Sequence, residues 1–150
     1  LLDVRVIRDG RVIFRSVALN DAVITKGAVA RVIDLQVYGD KILISNIFGD
    51  GVILATPTGS TAYSLSAGGP IVEPTAENII MTPISAHTLQ SKAMVLDKNR
   101  LIDITVPKQS RKTAYLSVDP GIRHRNPGPT VGEAAGEGAQ IHPGHHFPGH

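Results

Sequence analysis

The chain contains no cysteine and no tryptophan, and only three tyrosines and three phenylalanines among its 150 residues. Without cysteine there is no disulfide scaffold, no thiol nucleophile, no iron–sulfur cluster and no cysteine-based zinc site. A run of about 18 apolar residues is also missing, which excludes a transmembrane helix. The start, Leu1-Leu2-Asp3-Val4, lacks the charged and apolar regions of a signal peptide, so a soluble, cytoplasmic protein is expected. It also lacks methionine, from which the chain is expected to begin inside something longer. Charge of one sign is scarce: 15 basic against 13 acidic residues leave +2, with the basic residues scattered. Nucleic-acid binding needs a basic stripe with stacking aromatics or a recognisable module, and neither is present.

What is present divides unevenly. Residues 120–150 hold five of the ten prolines, seven of the fifteen glycines and five of the six histidines. Their large apolar residues are few, Ile122, Val131, Ile141 and Phe147. A segment of this composition buries too little surface to offset its ordering entropy, so a disordered Gly/Pro/His-rich C-terminal tail is expected over 120–150. Its histidines at 142, 145, 146 and 150 have no periodic element to array them, and no metal site is expected there beyond adventitious binding.

Residues 1–119 read as strands and form the one expected domain. Val4-Arg5-Val6-Ile7 and Val12-Ile13-Phe14 flank Asp9-Gly10, a hairpin signal. Ile33, Leu35 and Val37 alternate with Asp34, Gln36 and Tyr38, as in a half-buried strand. Val52-Ile53-Leu54-Ala55 is continuously apolar, as in a central strand. Further short strands over 41–44, 79–81, 94–96, 101–106 and 114–118 point to an all-β sandwich or layered sheet. The one helix expected is short, from about Ser60 to Ala67.

The segment with the most chemistry is Thr56-Pro57-Thr58-Gly59-Ser60-Thr61-Ala62-Tyr63-Ser64-Leu65-Ser66. It follows the apolar strand and concentrates hydroxyls at the start of the expected helix. Backbone N–H groups at such a start suit phosphate or carbonyl oxygens. Gly59 permits close backbone approach, and Tyr63 offers a ring for stacking on a planar base. The same residues also fit a plain structural reading, in which Thr and Ser cap the helix and Tyr63 packs inward. The G-x-x-x-x-G-K-[ST] spacing of a Walker loop is absent.

The run from Thr56 to Pro70 closely resembles the signature of the NAD kinase family. Ala18-Leu19-Asn20-Asp21-Ala22-Val23-Ile24 resembles that family's Asn-Glu segment, and Gly27 to Arg31 the stretch after it. Thr82-Pro83-Ile84-Ser85-Ala86-His87-Thr88-Leu89 and Met94-Val95-Leu96 resemble its next two blocks. The resemblance covers about residues 1–119 and implies the family's C-terminal β-sandwich with one short helix. It implies transfer of the terminal phosphate of ATP, or of polyphosphate, to the 2′-hydroxyl of the adenosine ribose of NAD, giving NADP. Magnesium or a similar divalent ion accompanies the donor, held mainly by an N-terminal domain, and the enzyme is a homo-oligomer.

Carried over position by position, the resemblance assigns Asn20 and Asp21 to the ribose and adenine of NAD. It gives Arg31 a dinucleotide contact, often across a subunit interface, and places Asp50 at the nicotinamide end. Thr58, Thr61, Ala62, Tyr63, Ser64 and Ser66 form the nucleoside-binding turn. His87 is read as structural. The chain also departs from the family. It has Phe48-Gly49-Asp50-Gly51 but no Gly-Gly-Asp-Gly motif, so the catalytic aspartate is expected upstream and the chain alone is expected to be inactive. Asp21 stands in place of the usual glutamate, and Phe48 where a basic residue is common. Two other readings differ in kind: a catalytically incomplete nucleotide-binding β-sandwich remnant, and a lipid kinase of the diacylglycerol kinase type, whose sandwich would lack the Thr-Gly-Ser-Thr-Ala-Tyr turn.

Overall fold

The structure is a computed structural model and describes residues 1–8, 10–27, 32–87, 91–106, 114–119, 130–134 and 139–143. Its strands are β1 (Leu2–Arg8), β2 (Arg11–Ala18), β3 (Asp21–Lys26), β4 (Ile33–Gly39), β5 (Ile42–Gly49) and β6 (Gly51–Ala55). They continue with β7 (Asn78–Ile84), β8 (Met94–Asp97), β9 (Ile102–Thr105), β10 (Ala114–Asp119), β11 (Thr130–Ala134) and β12 (Ala139–Pro143). Between β6 and β7 lie a 3₁₀ turn (Thr58–Thr61) and the single-turn helix α1 (Tyr63–Ser66).

The strands form two six-stranded sheets, in the orders β2-β1-β12-β9-β4-β5 and β11-β10-β3-β6-β7-β8. Alternation builds the layer between them. From the first sheet come Leu2, Val4 and Val6, then Ile33, Leu35 and Val37, then Ile102 and Ile104. From the second come Ala22 and Ile24, Val52 and Leu54, Ile79 and Met81, and Ala114, Leu116 and Val118. These residues form one buried cluster, so the molecule is the expected all-β sandwich with a short helix.

The second sheet is covered on its outer face as well. Val23, Ile53, Ala55 and Ile80 form a separate buried cluster, packed with Ala67, Val72 and Ile84 from the α1 region and β7. That explains the unbroken apolar run 52–55. β6 lies between β3 and β7 and is buried on both faces, so no position in it needs a polar side chain.

Two expectations are corrected. Residues 130–134 and 139–143, placed in a disordered tail, are strands. β11 pairs with β10, and β12 lies inside the first sheet between β1 and β9, with Ile141 opposite both Val4 and Ile102. The strands already present supply the backbone partners, so a five-residue stretch needs little apolar surface of its own to be held. A composition averaged over 31 residues conceals two such stretches. The rest of 120–150, with the histidines at 145, 146 and 150, lies outside the described residues. The helix expected from Ser60 to Ala67 is likewise shorter, since the backbone leaves helical geometry at Ala62 (φ −96°, ψ −128°) and splits the segment in two.

Candidate nucleotide-binding site

The loop after β6 is held against the start of β3. Asp21 lies opposite Ala55, so the chain entering β3 and the chain leaving β6 meet at one end of the sheet. There the Thr56 N–H donates to the Asn20 carbonyl at 2.9 Å. The buried Thr56 hydroxyl donates to the Leu19 carbonyl at 2.6 Å and accepts the Gly59 N–H at 3.0 Å. A Cβ on Gly59 would overlap the Asn20 carbonyl oxygen, so a side chain at 59 would lift the turn off the strand.

The hydroxyls of the loop separate into two sets. Thr56, Ser60 and Ser64 are buried and bonded to the fold. Ser60 donates to the Pro57 carbonyl at 2.7 Å and accepts the Val72 N–H at 3.1 Å, which ties the turn to the segment after α1. Ser64 shares a 2.9 Å hydrogen bond with Thr82 on β7, fastening α1 to the outer face of the second sheet. Thr58, Thr61 and Ser66 are exposed, together with Ala62 and Tyr63, the last at 44%. Asn20 is half-buried and Asp21 buried just behind this surface. The structure thus gathers Asn20, Asp21, Thr58, Thr61, Ala62, Tyr63 and Ser66 around one anchored turn, with Ser64 behind them. Thr56 and Thr82, whose hydroxyls hold this arrangement, are not among the residues to which the resemblance gives a contact. Thr56 carried a signal, a hydroxyl directly after a buried strand, whereas Thr82 became visible only through its contact with Ser64.

Asp50 is elsewhere. It precedes β6, six residues from Thr56, which is about 20 Å along an extended strand. In alternation it falls in step with Val52 and Leu54, which face the inter-sheet core, and not with Ile53 and Ala55 beneath α1. Its carboxylate pairs with Lys26 at 3.2 Å, and the Lys26 N–H donates to the Asp50 carbonyl at 2.9 Å. Nearby, the His87 N–H donates to the Phe48 carbonyl at 2.8 Å, and the two rings meet edge to face at 6.1 Å. Arg31 lies outside the described residues. No helix among the described residues is long and apolar enough to cross a membrane.

Comparison with known proteins gives the family. The profile of the ATP-NAD kinase C-terminal domain matches residues 19–130. The chain belongs to the NAD kinase family. It is 47% identical over 119 residues to the NAD kinase of Ruminiclostridium cellulolyticum, covering 79% of this chain and 42% of that protein. It is 44% identical over 119 residues to the NAD kinase of Acetivibrio thermocellus, covering 79% and 41%. Crystal structures of family members superpose on it. Yeast NADH kinase complexed with NADH gives a TM-score of 0.79 at 32% identity, covering 94% of this chain and 39% of that one. An NAD kinase from Archaeoglobus fulgidus in complex with ATP gives 0.69 at 27% identity, covering 94% and 49%. The chain therefore spans about two-fifths of the length of the curated relatives it matches.

Proposed function

We propose that the chain is the C-terminal, NAD-holding part of a cytoplasmic NAD kinase that makes NADP by moving the terminal phosphate of ATP, or of polyphosphate, onto the 2′-hydroxyl of the adenosine ribose. The observation that carries this reading is the turn 56–66 pinned on Asn20, with Tyr63 exposed beside it. In this reading Tyr63 stacks on the adenine, and Asn20 and Asp21 take the ribose hydroxyls. Thr58, Thr61, Ala62 and Ser66 complete the contact surface. Amide and carboxylate together can donate to and accept from a diol, which fits the ribose. Ser64, turned inward onto Thr82, shapes the turn.

Phosphoryl transfer depends mainly on positioning and charge stabilisation, so this half contributes orientation of the accepting hydroxyl. The catalytic aspartate of the Gly-Gly-Asp-Gly motif belongs upstream. In this reading magnesium accompanies the phosphate donor and is held mainly by the upstream domain. Asp50 and Tyr63 lie at different ends and on different sides of the second sheet, which favours a homo-oligomer in which the Asp50 of one copy serves the turn of a neighbour. Arg31 is proposed for the same interface.

Heat stability of the chain with NAD and NADP tests the reading. Ligand at 100 times Kd should stabilise the fold by about 2.7 kcal/mol, whereas an inert remnant shows no shift. Expressed with the coding sequence upstream of Leu1, the protein should phosphorylate NAD with ATP and magnesium, while residues 1–150 alone should not. Turnover by the chain alone would overturn the assignment of an essential group upstream.

A further inference from the structure

The Asp50 end carries a residue that the family resemblance does not assign. Lys26 is the last residue of β3, and the β3–β6 ladder, which ends at Thr25 opposite Gly51, continues by one step to bring Lys26 opposite Asp50. It holds Asp50 at two points, through the backbone at 2.9 Å and through Nζ to Oδ1 at 3.2 Å. On the other side the Asp50 N–H donates to the Ile84 carbonyl at 3.0 Å. The backbone is closely packed here, since a Cβ on Gly51 would overlap the Ile24 carbonyl oxygen. The side chains of Lys26 and Asp50 are 30% and 35% exposed, so the pair is partly withdrawn from water yet open to a ligand. Two positions before Asp50 the chain has Phe48, whose ring is engaged with His87 and carries no charge.

We infer that Lys26 is the positioning residue of Asp50. It fixes the carboxylate by one oxygen and leaves the other to accept an N–H from a primary carboxamide of the bound dinucleotide. The inference rests on the placement of Asp50 in the NAD site. A carboxylate on a free rotor loses entropy when it captures a ligand, and one already held by a cation loses less. The cation also offsets the charge that a neutral amide leaves unbalanced.

The test is NAD affinity by calorimetry on the 150-residue chain, with wild type, K26M, K26R, D50N and the double variant K26M/D50N. We expect D50N to weaken binding by about fivefold or more, and K26M by about three- to fivefold. K26R should bind within about twofold of wild type, since an arginine restores the pair. The double variant should bind no more weakly than D50N alone, because a positioning residue has nothing to act on once its partner is neutral. Additive losses, or no rescue by K26R, would overturn the inference. An unchanged affinity in K26M beside a weakened D50N would remove Lys26 and leave Asp50 in the site. An unchanged affinity in D50N, or no NAD binding by wild type, would remove the site reading and Lys26 with it. If K26M does not fold, K26Q takes its place under the same outcomes.

Discussion

The two ends of β6 are built from different chemistry. At the Ala55 end the turn is fixed by neutral groups, a threonine hydroxyl between Leu19 and Gly59 and a glycine flat against Asn20, and the exposed Thr58, Thr61, Tyr63 and Ser66 take no part in these contacts. At the Gly51 end the backbone is just as tightly packed, but the functional candidate Asp50 is itself engaged, by a cation. The contrast teaches that anchoring and contact are separable where hydroxyls and glycines hold the loop, and coupled where an ion pair does. Substitutions should therefore divide stability from binding cleanly at one end and poorly at the other.

The largest effects should come from the glycines. Gly51→Ala places a methyl into the Ile24 carbonyl in a central strand, and a loss of about 3 kcal/mol or more is expected in urea unfolding. Gly59→Ala meets an equally severe overlap with Asn20 but lies in a loop that can open by itself. It should lower global stability less and instead remove hydrogen-exchange protection at the Gly59 and Val72 amides. Equal global losses would mean that the turn is part of the cooperative core, and the contrast between the ends would fail.

Next comes the bond between Ser64 and Thr82. Both hydroxyls are buried, so Ser64→Ala strands its partner and should cost about 1–2 kcal/mol in thermal unfolding. Adding Thr82→Val removes the stranded group and should recover part of the loss. A double variant less stable than the single one would show that α1 is held by packing and not by this bond.

Tyr63→Ala separates contact from anchoring most directly. With the ring 44% exposed, unfolding should change by less than about 0.5 kcal/mol. If the ring stacks on adenine, NAD affinity should fall by about tenfold, within the range for base–aromatic stacking. A loss of stability without a loss of affinity would return Tyr63 to a structural role.

Much of this was legible in local pattern. The alternation at 33–37 became the alternately buried β4, and the apolar run 52–55 became a strand buried on both faces. Asn20-Asp21 and the turn 56–66 meet at one end of the second sheet. What stayed hidden depends on partners distant in sequence. Whether a hydroxyl in the loop is exposed or bonded to the fold is decided by Val72 and Thr82, which local pattern does not connect to Ser60 and Ser64. β12 is a strand because β1 and β9 flank it, and its own composition argues the other way. Lys26 meets Asp50 only through the register of β3 on β6.

The smallest expected effect isolates what burial adds to an ion pair. Lys98 and Glu77 form a charged hydrogen bond with side chains 48% and 69% exposed, just past the paired Asn78 and Asp97 on β7 and the edge strand β8. The hydrogen bond that Lys98 donates to Glu77, and then the charge of Glu77, raise the Lys98 pKa above its ordinary value of 10.5. A raised lysine contributes stability that is present below the unfolded value and lost as pH rises through the folded one, so any contribution is constant across neutral pH. Water screens that contribution almost completely at such exposure. Lys98→Ala should therefore leave the unfolding midpoint unchanged at both pH 7 and pH 9, and NAD affinity with it. Against this background, weakened binding in K26M reports the position of the Lys26–Asp50 pair and not a general sensitivity to lost positive charge. A fall in NAD affinity in Lys98→Ala comparable to that in K26M would erase the distinction, because two charges so differently placed would then act alike, through the overall field of the protein.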